Sequence, residues 1–161
     1  VKTAVIALGA NLGQPIATLR AAIDRIAVLP QTRLLAVSGL YVSEPLEVND
    51  TQPDYFNAAC TVATALDPHD LLDRLLAIER AHGRVREAWH AARSLDLDLI
   101  AMDELTVNSP SLTLPHPRAH TRAFVVLPVA EIAPWVRLGA HGPVASLANA
   151  LTGQRIRRIS M

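Results

Sequence analysis

The sequence predicts an α+β fold, a mainly antiparallel sheet with helices packed on one face, and three observations carry that expectation. Apolar runs of strand length alternate with two longer segments whose apolar residues recur at helical spacing. Prolines, glycines and Asp/Asn clusters punctuate nearly every boundary. The segments fall in the order β-α-β-β-α-β, followed by a helical C-terminal part, which is a split βαβ arrangement of ferredoxin-like topology.

Residues 2–8 form a buried strand ended by Gly9-Ala10-Asn11-Leu12-Gly13. A helix follows over 15–28, with Ile16, Leu19, Ile23 and Ile26 on one side and Pro15 in its first turn. A second strand spans 33–42 and a third 55–65, separated by a Pro/Glu/Asn/Asp-rich loop over 43–54. A loop of that length is expected to be functional. Asp67-Pro68 supplies an N-cap and a first-turn proline for a helix over 68–82, stopped by Gly83. Glu79 falls on the apolar stripe of that helix, so it must be paired, with Arg84 or Arg86 as candidates, or belong to a site. An arginine-bearing loop over 84–93 leads into a strand carrying Asp96 and Asp98. Asp103-Glu104 makes a turn, and short strands near 105–108 and 112–114 follow. Thr121 is placed to cap a helix over 122–132, which Pro128 should bend or shift at its start, and Pro143 opens a last helix over 143–151.

At 161 residues one domain, 1–161, is expected. The formal net charge of zero argues against broad electrostatic capture of nucleic acid. No apolar stretch approaches the 18 residues of a membrane span, and no secretory signal is visible, so a soluble, cytoplasmic chain is expected. Cys60 lies in an apolar run and reads as a small core residue. Lys2 is the only lysine, which excludes a Walker-type phosphate loop and a Schiff-base lysine.

The most informative stretch is Arg93-Ser94-Leu95-Asp96-Leu97-Asp98-Leu99. On a strand the two aspartates share one face and the leucines the other. Carboxylates two residues apart lie roughly 6.5–7 Å from each other by the strand rise. At an effective dielectric of about 20 their repulsion is roughly 2.4 kcal/mol. Two readings remain open: solvated acids on a wet face, or ligands of a divalent cation. The cationic run Arg80, His82, Arg84, Arg86, His90 and Arg93 just upstream suits a site where Mg²⁺ and a polyphosphate meet.

Several segments together resemble the 6-hydroxymethyl-7,8-dihydropterin pyrophosphokinases. They are 7–13, Tyr41 to Leu46, 52–59, Ile78-Glu79, 83–86, Arg93 to Leu99, Leu114-Pro115-His116-Pro117, Arg122-Ala123-Phe124 and 131–134. The resemblance implies transfer of diphosphate from ATP to a pterin alcohol in folate biosynthesis, with AMP released. It implies that Asp96 and Asp98 hold two Mg²⁺ ions bridging the ATP phosphates and the pterin hydroxyl. Arg84, Arg93, His116 and Arg122 would face the triphosphate, with Arg86, Leu99 and Thr113 also on the ATP side. Tyr55 and Phe124 would sandwich the pterin ring, Asn57 would read its edge, and Ser43, Pro45 and Leu46 would complete that edge.

The chain departs from the family pattern in places. Trp89-His90-Ala91-Ala92-Arg93 replaces the usual approach to the final arginine, so Trp89 and His90 both stand as candidates to cover the ligands. Glu87 stands where a basic residue is common, Leu76 replaces a polar helix residue, and Ser111 replaces an arginine. An active, monomeric enzyme with small-molecule substrates is expected, its 43–54 and 84–93 loops closing over them. The alternatives are a non-catalytic pterin- or nucleotide-binding relative acting as a regulatory or assembly subunit, and an RNA-binding module of the same topology.

Overall fold

β1 (Lys2–Ala10) is buried along most of its length because Ala4-Val5-Ile6-Ala7-Leu8 offers apolar side chains to both faces. In the computed structural model, which describes residues 1–11, 13–43, 54–82 and 95–159, β1 lies between β5 (Asp96–Met102) and β4 (Tyr55–Thr64). Beyond β4 come β3 (Leu40–Ser43) and β8 (Ile156–Ile159), and β2 (Thr32–Val37) also pairs with β4. Every one of these pairings is antiparallel. β6 (Val107–Asn108) and β7 (Thr113–Leu114) form a separate two-stranded ribbon.

Helices cover both faces of the sheet, not one. α1 (Pro15–Ala27) and α2 (Pro68–Ala81) bury Leu19, Ile26, Leu71 and Leu75 against Ile6, Leu8, Cys60, Val62, Leu97 and Leu99. On the opposite face α3 (Ala123–Ile132) sets Val125, Val126 and Val129 on Val5, Ala7, Ala59 and Ala101, and α4 (Val144–Ala150) adds Val144. The physical reason lies in α3, whose Ala-Phe-Val-Val-Leu-Pro-Val-Ala run is too apolar to leave one side in water. Two cores therefore sandwich one sheet.

Three local expectations need correction. The strand expected over 33–42 is two strands, interrupted where Ser38 takes both backbone groups of Ala59: its N–H donates to the Ala59 carbonyl at 2.9 Å and its Oγ accepts from the Ala59 N–H at 2.9 Å. Thr121 does not cap α3, because its hydroxyl donates to the Arg118 carbonyl within a short 3-10 turn over Ala119–Thr121. Pro128 sits inside α3 without displacing the start of the helix. The C-terminal strand β8 was not anticipated, since Arg155-Ile156-Arg157-Arg158-Ile159 breaks the period-2 alternation that marks a strand. By contrast, Asp67 caps α2 as expected, its carboxylate accepting from the N–H groups of His69 at 2.9 Å and Asp70 at 3.1 Å. The 84–93 loop, the Gly83 stop and nearly all of the 43–54 loop lie outside the described residues.

Candidate active site

Sheet register assembles the site. Arg158, Tyr41, Asn57, Gly9 and Asp96 sit opposite one another in turn across β8, β3, β4, β1 and β5. One step along, Ala7 separates Asp98 from Ala59. Laterally paired residues share a face, so both aspartates and Asn57 emerge on the α3 side of the sheet. There, beyond the start of α3, a cavity of about 740 Å³ is lined by Ala7, Gly9, Ser43, Tyr55, Asn57, Asp96 and Asp98 from the sheet. Arg118, Thr121, Arg122 and Phe124 close it from the α3 corner, and Gln154, Arg155 and Ile156 from the C-terminal segment. Gly9 and Ala7 leave its floor low. A Cβ on Gly9 would stand 3.4 Å from Asn57 Oδ1.

β5 alternates as anticipated, with Asp96 and Asp98 half-buried and Leu97 and Leu99 inside. The edge of β5 is held between the two acids by Glu79, which is 2% exposed and accepts from the Leu97 N–H at 2.7 Å through Oε2. The anomalous carboxylate of α2 thus satisfies a buried backbone donor of the strand that carries the aspartates.

Asn57 is 3% exposed, and its Nδ2 donates to Ser43 Oγ at 2.9 Å and to the carbonyls of Tyr41 and Tyr55 at 3.4 Å. Its donor side is committed to β3, which leaves Oδ1 as the acceptor it can offer a ligand and frees the Ser43 hydroxyl to donate. Tyr55 lies two residues from Asn57 on the same strand face, opposite Ser43. The Arg122 guanidinium lies 5.7 Å from the centroid of the Phe124 ring, within cation–π range.

A second, smaller cavity of about 270 Å³ is lined by Leu72, Leu97, Asp98, Leu99, Pro110, Ser111, Leu112, Thr113, His116 and Pro117. His116 is fixed by its N–H, which donates to the Ile100 carbonyl at 2.8 Å, while its Nδ1 accepts from the Arg118 N–H at 3.2 Å. The Leu114–Pro115 peptide preceding it is cis. Burial lowers the proton affinity of the ring; Asp98 opposes this and Arg122 and Arg118 add to it, and the net pKa falls below the ordinary value. That direction favours the neutral imidazole, and the acceptor role of Nδ1 places its hydrogen on Nε2.

Of the residues singled out in the sequence, the structure gathers Ser43, Tyr55, Asn57, Asp96, Asp98, Arg122 and Phe124 around the larger cavity, and Asp98, Leu99, Thr113 and His116 around the smaller. Pro45, Leu46, Arg84, Arg86 and Arg93 lie outside the described residues, as do Trp89 and His90. Sequence reasoning missed Arg118, Gln154, Arg155 and Ile156, none of which carries a recognisable signal, and read Thr121 as a helix cap and not as part of the site.

Comparison with known proteins gives a consistent answer. The sequence model described as 7,8-dihydro-6-hydroxymethylpterin-pyrophosphokinase matches residues 5–134. A 2-amino-4-hydroxy-6-hydroxymethyldihydropteridine pyrophosphokinase of Pseudomonas aeruginosa is 46% identical over 140 residues, covering 86% of each chain. The Haemophilus influenzae protein of the same name is 44% identical over 131 residues, covering 81% of each. Among solved structures, the Plasmodium falciparum HPPK-DHPS with pteroate aligns with a TM-score of 0.73 at 13% identity, over 92% of this chain. This chain spans 42% of that longer one, and the likeness speaks for the fold. By the family match and these relatives, the chain belongs to the 7,8-dihydro-6-hydroxymethylpterin-pyrophosphokinase family.

Proposed function

We propose that this protein transfers the terminal diphosphate of ATP to the hydroxymethyl group of 6-hydroxymethyl-7,8-dihydropterin, releasing AMP, in folate biosynthesis. The observation that carries the reading is that Asp98 lines both cavities at once. The larger takes the pterin and the smaller the nucleotide, so the β-phosphorus and the hydroxyl meet at their shared wall. Tyr55 and Phe124 hold the flat ring by offset stacking. Asn57 Oδ1 accepts from the ring's amino edge, and Ser43 donates beside it.

The two aspartates suit Mg²⁺, a hard cation that takes one or two carboxylates and completes its shell with phosphate oxygens and water. Two such ions would neutralise phosphate charge and lower the pKa of the attacking hydroxyl. The hydroxyl oxygen bonds to the β-phosphorus and releases its proton to solvent, the bond from the β-phosphorus to the α,β-bridging oxygen breaks, and AMP departs with that oxygen. His116 Nε2–H and the Arg122 guanidinium donate to phosphate oxygens as charge builds there. Arg84, Arg86 and Arg93 belong to the same charge-neutralising set by their place in the sequence. Thr113 and Leu99 border the nucleotide. We read the enzyme as a cytoplasmic monomer acting on small-molecule substrates.

The test is Asp98→Ala assayed for AMP formation from ATP and the pterin alcohol. Turnover is expected to fall at least a thousandfold (~4 kcal/mol of barrier by the rate law) with an unchanged far-ultraviolet circular dichroism spectrum. Undiminished turnover would remove Asp98 from the site, and wild-type protein that binds the pterin without forming AMP would return the non-catalytic reading.

A further inference from the structure

The family match ends at residue 134, yet the wall of the larger cavity is completed by Gln154, Arg155 and Ile156. We propose that Gln154 is a positioning residue for the transfer reaction, setting the placement of Arg122 and Phe124 from a segment beyond the matched region. The inference rests on the roles given above to those two residues.

The N-terminus of α3 lacks a side-chain cap of its own. Arg122 occupies the cap position without making such a bond, and the Thr121 hydroxyl is turned to Arg118. Gln154 supplies what is missing: its Oε1 accepts from the Ala123 N–H at 2.9 Å and its Nε2 donates to the Thr121 carbonyl at 2.8 Å. The two bonds straddle Arg122, so one carboxamide grips the backbone on both sides of the residue that faces the phosphates. Phe124 follows directly on the gripped Ala123. Ala123 is fully buried, so its N–H has no solvent to turn to if the carboxamide is lost.

Gln154 is itself anchored. Two residues on, β8 pairs with β3, and Ile156 stands opposite Ser43, which in turn stands opposite Tyr55. Further along β8, the Arg158 Nε bonds Glu131 of α3 at 3.1 Å. The C-terminal segment therefore ties the wall bearing Ser43, Tyr55 and Asn57 to the wall bearing Arg122 and Phe124. The width of the pterin slot depends on this tie. The smaller cavity, by contrast, borrows no residue from the segment.

The test compares wild type with Gln154→Met, which keeps the length of the side chain and removes both bonds. At a temperature well below its melting point, the variant should lose about tenfold to a hundredfold in kcat, the scale on which misplacement acts. Calorimetric affinity for the pterin alcohol, measured with a non-hydrolysable ATP analogue present, should weaken several-fold, while affinity for the analogue alone stays within twofold. A lower Tm with kcat and pterin affinity unchanged would reduce Gln154 to a structural cap and overturn the proposal. Should Gln154→Met fail to fold, Gln154→Glu retains the acceptor for the Ala123 N–H at a helix N-terminus, where a carboxylate is favoured. It is read by the same kcat and affinity criteria. If wild type itself forms no AMP, the functional reading falls, and the pterin affinities of wild type and variant still decide the role of Gln154.

Discussion

At the residue scale, Glu79 illustrates how a burial anomaly resolves into a structural bond. Its carboxylate takes the Leu97 N–H between the two aspartates, so Glu79→Ala would strand a buried donor on the strand that matters most. The expected cost is about 1.5–3 kcal/mol, the range for hydrogen bonds to charged groups, read as a lower urea midpoint. Transfer activity should fall with it as β5 loosens, and an unchanged midpoint would sink the assignment. Asp96, Asp98, Asn57 and Tyr55 were legible in advance because strand alternation fixes which side of a sheet a residue takes. Gln154 was not. It reaches Ala123 across 31 positions, and no local pattern encodes an approach between distant segments. Asn57 was half legible: its carboxamide was recognised, but only the packing of β3 reveals that the donor side is already spent on Ser43.

At the element scale, α3 is locked to the sheet edge through Glu131, which accepts from the Tyr41 hydroxyl at 2.7 Å, the Gly39 N–H at 3.1 Å and Arg158 Nε at 3.1 Å. A Cβ on Gly39 would fall 2.5 Å from Arg158 Nη2, so a side chain there would push the arginine aside from Glu131. Burial alone would push the Glu131 carboxyl up, yet the bonds from Arg158, Tyr41 and Gly39 together hold it below its ordinary value. A depressed carboxyl pKa stabilises the fold above the ordinary carboxylate range, and that stability is lost as pH falls through the folded value. Tyr41 behaves oppositely: burial first, and the Glu131 bond and charge next, push its hydroxyl up to about 12. Its contribution is complete below about pH 10 and is lost as pH rises toward 12. Urea midpoints between pH 6 and 3 should therefore converge for wild type and Glu131→Gln, whose amide does not titrate. Parallel curves would deny the carboxylate this role. Of this lock only Tyr41 and Glu131 fell in segments that the sequence singled out, and nothing joined them, because β8 had no strand signature and β2 and β3 read as one run.

For the whole molecule, the order of the elements along the chain, the length of most of them and the position of the acidic strand were readable, since apolar periodicity and Asp-Pro, Pro and Gly punctuation are local. The placement of helices on both faces was not, because it follows from what α3 and the sheet bury together. That arrangement makes the C-terminal stretch a shared closure. Removing residues 152–161 should bare the β3 edge, which invites association between chains, and should weaken pterin binding by at least tenfold while the nucleotide analogue still binds. Light scattering and calorimetry would check both halves, and a monodisperse truncated protein with unaltered pterin affinity would contradict the closure.

The low floor made by Gly9 and Ala7 has a consequence for the shape of the cavity. The clearance above β1 exists because those two positions carry almost no side-chain bulk, so the depth of the cavity is written into a paired interior strand, whatever its walls do. A floor built this way has no hinge to adjust: it is as rigid as the ladder of amides beneath it, and bulk added at either position would fill the cavity from below.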